Sequence, residues 1–170
     1  MTPNLQSCWT PCFWFPDVRS GSFASAFYTF FASIFCSVHT IYVMRGGDAS
    51  QVYLPFFETD LTKMDLEASG GFTIFYFVFL CMFSILLAIG ISTNIRGLMI
   101  PWMISLGIAI TFQAMFGLWL IFGYYIYLEV IMAAILCWTW MSLNIYALQV
   151  VRSHYYNIKF SQTPDIEYFD

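Results

Sequence analysis

The apolar residues of this chain form four long runs with almost no charge inside them. The uncharged stretches between charged residues contain 25, 28, 32 and 22 residues, and they end at Arg45, Arg96, Glu129 and Arg152. A helix needs about 20 mostly apolar residues to cross the roughly 30 Å of hydrocarbon in a bilayer. Each run therefore predicts one membrane span, and the chain is expected to be an all-α integral membrane protein.

A soluble helical bundle is the competing interpretation of the same pattern. Such a bundle needs charged faces at helical spacing, and the four runs contain none. Only 9% of the residues are charged and 60% are hydrophobic, whereas a soluble domain carries roughly 25% charged residues. The composition therefore favours the membrane over a water-facing surface.

Short connections predict that consecutive spans are antiparallel neighbours in an up-down bundle. We expect a short helix at 59–68 and a flexible Gly70-Gly71 step before the second span. The predicted segments are an aromatic, cysteine-containing arm at 1–20, a transmembrane domain at 21–151 with spans at 21–44, 72–92, 98–121 and 128–151, a loop at 45–71, and an acidic tail at 152–170.

The orientation follows from the Lys and Arg residues of the short loops, which favour the cytoplasm. Arg45 and Lys63 lie on the side of the 45–71 loop, and four basic residues lie on the opposite side: Arg19, Arg96, Arg152 and Lys159. The count predicts that the arm and the tail are both cytoplasmic and that the 45–71 loop faces outward. Since 1–18 lacks a basic start and an unbroken apolar centre, we expect the first span to act as an uncleaved signal anchor.

Three polar residues lie within the predicted spans, namely Gln113, Asn144 and, near the outer end of the first span, His39. One interpretation is a polar pathway, because buried polar groups in membranes often mark transport or catalysis. The other is interhelical hydrogen bonding worth about 1 kcal/mol per contact. The second is favoured, because no Asp, Glu, Lys or Arg lies deep in a span to support proton coupling.

The cysteines suggest lipidation rather than redox or metal chemistry. Cys8 and Cys12 precede the first span, and cytoplasmic cysteines beside a span are candidates for S-palmitoylation. They lack the further ligands that a zinc site needs. The other three, Cys36, Cys81 and Cys137, lie in spans and are expected to behave as small apolar residues.

The centre of the 45–71 loop is apolar and aromatic, so this loop is more than an inert spacer. We expect it to dip into the outer interface or to contact a neighbouring protein. The residues of this predicted outer contact patch are Tyr53, Leu54, Phe56 and Phe57.

The tail begins with a Tyr-x-x-apolar pattern, Tyr155 to Ile158, of the kind used for endocytic sorting. Tyr155 and Tyr156 can equally be interfacial anchors beside Arg152, since tyrosine is enriched at the membrane surface. The second interpretation is favoured because the pattern is loose and lies close to the predicted membrane.

Catalytic motifs are absent from the sequence. It contains no nucleophile elbow, H-E-x-x-H motif, P-loop or paired carboxylates, so we expect no enzymatic activity and no cofactor. The net charge of −4 and the lack of a basic cluster argue against nucleic acid. The expected partners are the lipid bilayer and other membrane proteins, including further copies of the chain.

Two short motifs carry a resemblance to a known group. The chain resembles the small four-span membrane proteins of arthropods that include pasiflora and fire exit, and it is distantly similar to the lysosomal-associated four-span transmembrane family. The motifs are Val18-Arg19-Ser20-Gly21-Ser22 before the first span and Trp140, Tyr146 and Val150-Val151-Arg152-Ser153-His154-Tyr155-Tyr156 at the end of the fourth.

The resemblance implies two functions. The pasiflora type implies a structural role in septate-type cell–cell junctions and the epithelial barrier, at the lateral plasma membrane. The lysosomal family implies an endosomal or lysosomal trafficking adaptor, and a small-solute transporter is the further alternative. The Pro-Pro-x-Tyr tail motifs of the lysosomal family are missing here, which favours the junctional role.

The outer contact patch generates a first prediction. Replacing Phe56 and Phe57 together by Asp should disturb localisation or assembly, because two charges cannot enter an apolar contact without a large desolvation cost. Immunofluorescence of a tagged copy measures this, with membrane fractionation showing that insertion is retained. Normal localisation and assembly of the double variant would mean that the loop is a spacer.

Overall fold

The computed structural model describes residues 17–47, 63–123 and 128–162, with side chains described for 17–47, 68–122 and 131–162. Its four α-helices are α1 (Val18–Met44), α2 (Lys63–Thr93), α3 (Ile100–Gly123) and α4 (Leu128–Ser161). All four are long and apolar enough to cross a membrane. Because lipid cannot satisfy backbone N–H and C=O groups, a helix is the expected conformation for each of these apolar runs.

Neighbouring helices run in opposite directions. Met44, at the end of α1, lies against Gly70, near the start of α2. Tyr76 of α2 donates a hydrogen bond to the Ser105 carbonyl of α3, and the start of α3 lines a groove with the last third of α4. Residue 17, the α2–α3 turn and residue 162 therefore lie at one end of the bundle, which we call the terminal end, and residues 47, 63, 123 and 128 lie at the other.

A stripe of hydroxyl side chains runs along α1 at helical spacing. Each donates a hydrogen bond to a carbonyl one turn earlier, as Ser33 does to Thr29, so the stripe offers small side chains without unpaired donors. Small residues let membrane helices approach closely. The stripe consists of Ser22, Ser25, Thr29, Ser33, Ser37 and Thr40.

The start of α2 differs from the expected flexible glycine step. The described part of the predicted 59–68 helix, from Lys63, is helical, and it continues without a break through Gly70 and Gly71. A Cβ at Gly70 would lie 2.5 Å from Met44 Sδ. Gly70 therefore permits close contact between α1 and α2. This packing keeps Gly70 and Gly71 helical, although the low helix propensity of glycine favours a break there.

The turn between α2 and α3 is as tight as its length predicts. Asn94 adopts a left-handed conformation with φ of 56°, and the Ile95 amide donates to the Gly90 carbonyl at 3.0 Å. A 3₁₀ turn, Arg96–Met99, then leads directly into α3. A left-handed residue after the last turn is a common way to end a helix.

The tightly packed core lies toward the terminal end. It combines the first half of α1, the second half of α2, the start of α3 and the second half of α4. Its buried members are Ala26, Leu80, Leu87, Ile91, Met99, Trp102, Leu106, Ala147, Val151 and Ile158. A smaller cluster toward the opposite end joins only α3 and α4, through Leu120, Ala133 and Ala134.

Helix α4 extends past the predicted end of the fourth span, from residue 151 to Ser161. The first part of the predicted tail is therefore helical. The extension is held because Ile158 packs into the core and Gln162 donates a hydrogen bond to the Asn94 carbonyl at 2.9 Å. At 34 residues, α4 is about 51 Å long and exceeds the hydrocarbon thickness of about 30 Å.

The contact between α3 and α4 generates a second prediction. A Cβ at Gly117 would overlap the indole of Trp138, so Gly117→Leu should destabilise the bundle by about 1–3 kcal/mol through overpacking. The matched control is Gly107→Leu, since a Cβ at Gly107 meets nothing within 4 Å. Denaturation of the purified protein by SDS in mixed micelles measures both, and equal effects would contradict the prediction.

Candidate functional site

A three-helix hydrogen-bond cluster centres on Thr29. Its Oγ1 lies 2.8 Å from Ser84 Oγ of α2 and accepts a hydrogen bond of 3.0 Å from Trp102 Nε1 of α3. Thr29 also bonds the backbone carbonyls of Ser25 and Ala26 in its own helix. We call Thr29, Ser84 and Trp102 the Thr29 cluster.

The indole of Trp102 explains why this position needs a hydroxyl. The side chain is 0% exposed, and a buried indole N–H needs an acceptor because an unpaired donor is costly in an apolar medium. A threonine hydroxyl can donate once and accept twice. Thr29 can therefore donate within α1 while it accepts from α3.

A second cluster begins at the preceding residue, Tyr28. Trp140 Nε1 donates to the Tyr28 hydroxyl, and this hydroxyl donates to Asn144 Oδ1 at 3.3 Å. Asn144 Nδ2 in turn donates to Gln113 Oε1 at 2.9 Å. We call Tyr28, Gln113, Trp140 and Asn144 the Tyr28 cluster, and it joins α1, α3 and α4.

Together the two clusters connect all four helices through two consecutive residues of α1. Thr29 connects to α2 and α3, whereas Tyr28 connects to α4 and through it to α3. Successive residues point about 100° apart around a helix of 3.6 residues per turn. This geometry places α1 between the α2 side and the α4 side of the bundle.

The chemistry of the two clusters is that of neutral donors and acceptors. The side chains are hydroxyls, indoles and carboxamides, and their hydrogen bonds run to one another or to nearby carbonyls. Such bonds contribute about 0.6 kcal/mol on average and up to about 1.7 kcal/mol between membrane helices. The arrangement therefore fixes the register of four helices.

Of the three polar residues expected within the spans, the structure brings two together. Gln113 and Asn144 bond directly, whereas His39 lies further along α1, stacked on Phe35 with ring centroids 6.4 Å apart. Within the described part of the chain, His39 Nε2 has no hydrogen-bond partner.

The predicted sorting pattern lies within α4. Ile158 is only 5% exposed and belongs to the core, so a soluble partner cannot reach it in the folded bundle. Tyr155 packs against the same core, while Tyr156 is more exposed and its ring lies 5.6 Å from the Arg152 guanidinium. This placement fits the interfacial-anchor interpretation better than an accessible signal.

The other predicted sites fall outside the described residues. These are the palmitoylation candidates and the outer contact patch, namely Cys8, Cys12, Tyr53, Leu54, Phe56 and Phe57.

The three cysteines of the spans, Cys36, Cys81 and Cys137, are free thiols. Cys137 Sγ approaches the Gln113 carbonyl at 3.7 Å. Within the described ranges, no group of three His, Cys, Asp or Glu residues is placed to hold a metal ion.

Most residues of the two clusters were not predicted from the sequence. The sequence pattern did not predict a role for Tyr28, Thr29 or Trp102. Two features of the sequence point to such clusters: the helical spacing of Ser and Thr along the first span, and the indoles inside apolar runs. A buried indole predicts an acceptor nearby, but sequence spacing does not say which helix supplies it.

The Thr29 cluster generates a third prediction. Thr29→Val keeps the side-chain shape but leaves Trp102 Nε1 and Ser84 Oγ without their shared partner, so stability should fall by about 1–2 kcal/mol. The SDS denaturation midpoint measures this loss. The control is Thr111→Val, because Thr111 is exposed and bonds only the Gly107 carbonyl of its own helix. A Thr29→Val midpoint equal to that of Thr111→Val would show that the cluster contributes nothing.

Comparisons with known proteins give no match for this chain: no family model matches the sequence, and neither the curated proteins nor the solved structures contain a detectable relative. The resemblance to the pasiflora and fire exit type therefore stays a prediction, based on the motifs before the first span and at the end of the fourth.

Proposed function

We propose that this chain is a non-enzymatic four-span membrane protein that assembles with other membrane proteins, or with further copies of itself, at septate-type cell–cell junctions. In this role it contributes to the epithelial barrier at the lateral plasma membrane. The support comes from the polar interior, the apolar flanks of the bundle and the resemblance of its end motifs.

The observation that carries the proposal is the pairing of the hydroxyl, indole and carboxamide groups of the two clusters inside the bundle. Tyr28, Asn144 and Gln113 bond one another, and Thr29 bonds Ser84 and Trp102. A transport path or a catalytic centre needs polar groups directed toward a substrate. Here the groups of both clusters are used to join helices, which suits a protein whose surface rather than its interior is functional.

That surface is rich in large apolar side chains along all four helices, as suits contact with lipid or with other membrane helices. A shallow groove of about 380 Å³ between α1 and α2 is lined partly by small residues. Ala88 and Ser92 are two of these small residues. Small residues at such a position allow a neighbouring helix to approach closely.

The proposed orientation places the terminal end in the cytoplasm. Arg19, Arg96 and Arg152 lie at this end, together with Lys159, and short cytoplasmic segments are enriched in basic residues. The 45–71 loop then faces outward, where it can meet a partner across or along the cell contact.

The alternative role is that of an endosomal or lysosomal adaptor, or of a small-solute transporter. An adaptor that uses the 155–158 pattern must expose Ile158, which is buried within α4. A transporter needs groups that bind its solute, whereas the described polar residues of both clusters bond one another. Both observations favour the junctional role.

The proposed function generates a fourth prediction. In an epithelium that expresses this protein, its depletion should open the paracellular route, because a missing lateral component interrupts the seal between cells. Penetration of a fluorescent dextran measures the barrier, and re-expression of the wild-type chain should restore it.

The controls separate barrier function from folding. Thr111→Val, which alters only an exposed hydroxyl, should rescue as well as the wild type, whereas Gly117→Leu should rescue poorly in proportion to its lost stability. An intact barrier after depletion, with the tagged protein in acidic vesicles rather than lateral membranes, would support the alternative role and contradict the proposal.

A further inference from the structure

A groove of about 440 Å³ runs between α3 and α4 at the terminal end of the bundle. Its walls are mostly apolar, and Arg152 and Tyr155 lie at one end. The apolar lining consists of Ile100, Met103, Ile104 and Leu148. Ile100 and Ile104 are both substantially exposed, so the groove opens on the surface that faces lipid.

Arg152 brings a positive charge to this groove without a described counter-ion. Its guanidinium lies 5.6 Å from the centre of the Tyr156 ring, and among the described residues it makes no hydrogen bond or ion pair. Of the side chains that the structure describes, only Asp17 is acidic, and it precedes α1 rather than lining the groove. A guanidinium offers five donors and binds phosphate groups with high geometric specificity.

The position of Arg152 along α4 matches the depth of a phospholipid headgroup. The uncharged run of α4 lies between Glu129 and Arg152, and the rise along the helix axis between these two residues is about 35 Å. The hydrocarbon layer is about 30 Å thick. Arg152 therefore lies where lipid phosphates lie, while Ile104 and Leu148 lie at the depth of the acyl chains.

We propose that the α3–α4 groove is a binding site for an anionic phospholipid. Arg152 and the Tyr155 hydroxyl contact the phosphate, and an acyl chain packs along Ile104 and its apolar neighbours. Basic pockets between membrane helices bind anionic lipid headgroups in this way. The site is independent of the proposed junctional role, since it requires only the groove, the cation and the bilayer.

Native mass spectrometry of the detergent-purified full chain tests the site with two probes, palmitoyl-oleoyl phosphatidylglycerol and palmitoyl-oleoyl phosphatidylcholine. The wild type should retain phosphatidylglycerol, the anionic lipid, in preference to phosphatidylcholine. Arg152→Gln should weaken its retention about fivefold, the effect of about one basic residue near an anionic headgroup. Arg96→Gln is the matched control, since Arg96 is an exposed cation at the same end that does not line the groove.

A second pair of variants tests the apolar part of the groove. Ile104→Trp should fill the groove and reduce retention of the anionic lipid, whereas Ile108→Trp should not, because Ile108 is equally exposed but lies outside the groove. Excess inorganic phosphate should fail to displace the lipid, since phosphate alone lacks the acyl contact. Equal retention of the two lipids, equal losses within either pair of variants, or displacement by phosphate would overturn the proposal.

Discussion

A hydrogen-bond donor inside the membrane needs an acceptor, and the packing of this bundle depends on how Trp102 meets that need. Its indole is fully buried and donates to Thr29, whose hydroxyl is also in contact with Ser84. Because lipid tails provide no hydrophobic drive for helices to associate, polar bonds and close packing carry a large share of the specificity. Three helices are thereby held in one register at a single point.

The first helix packs chiefly against α2, and α4 is its second neighbour. Its hydroxyl stripe satisfies its own donors and provides a small surface for α2, while Tyr28 extends the contact to α4. The buried core lies beside these contacts, toward the terminal end. At the opposite end the described contacts pair α1 with α2, through Met44 and Gly70, and α3 with α4, through Gly117 and Trp138.

The two ends of the bundle differ in packing, and this difference bears on the proposed function. The end that carries Arg152 and the α2–α3 turn is well packed, and it presents a groove that suits an anionic lipid. The opposite end leads into the 45–71 loop, which is the longest polar interruption in the sequence. A bundle that is firmly packed at one end supports the proposed role of a scaffold better than that of a solute path.

The number, approximate position and antiparallel order of the helices followed from the sequence, because 20-residue apolar runs and short turns leave few other arrangements in a membrane. Gln113 and Asn144 were also identifiable as polar residues within apolar spans. Only the tertiary structure decided that they bond each other, that Gly70 lies within a continuous helix, and that Ile158 is buried. These features depend on which helix faces which, and a nearly uniform apolar pattern carries little information about helix faces.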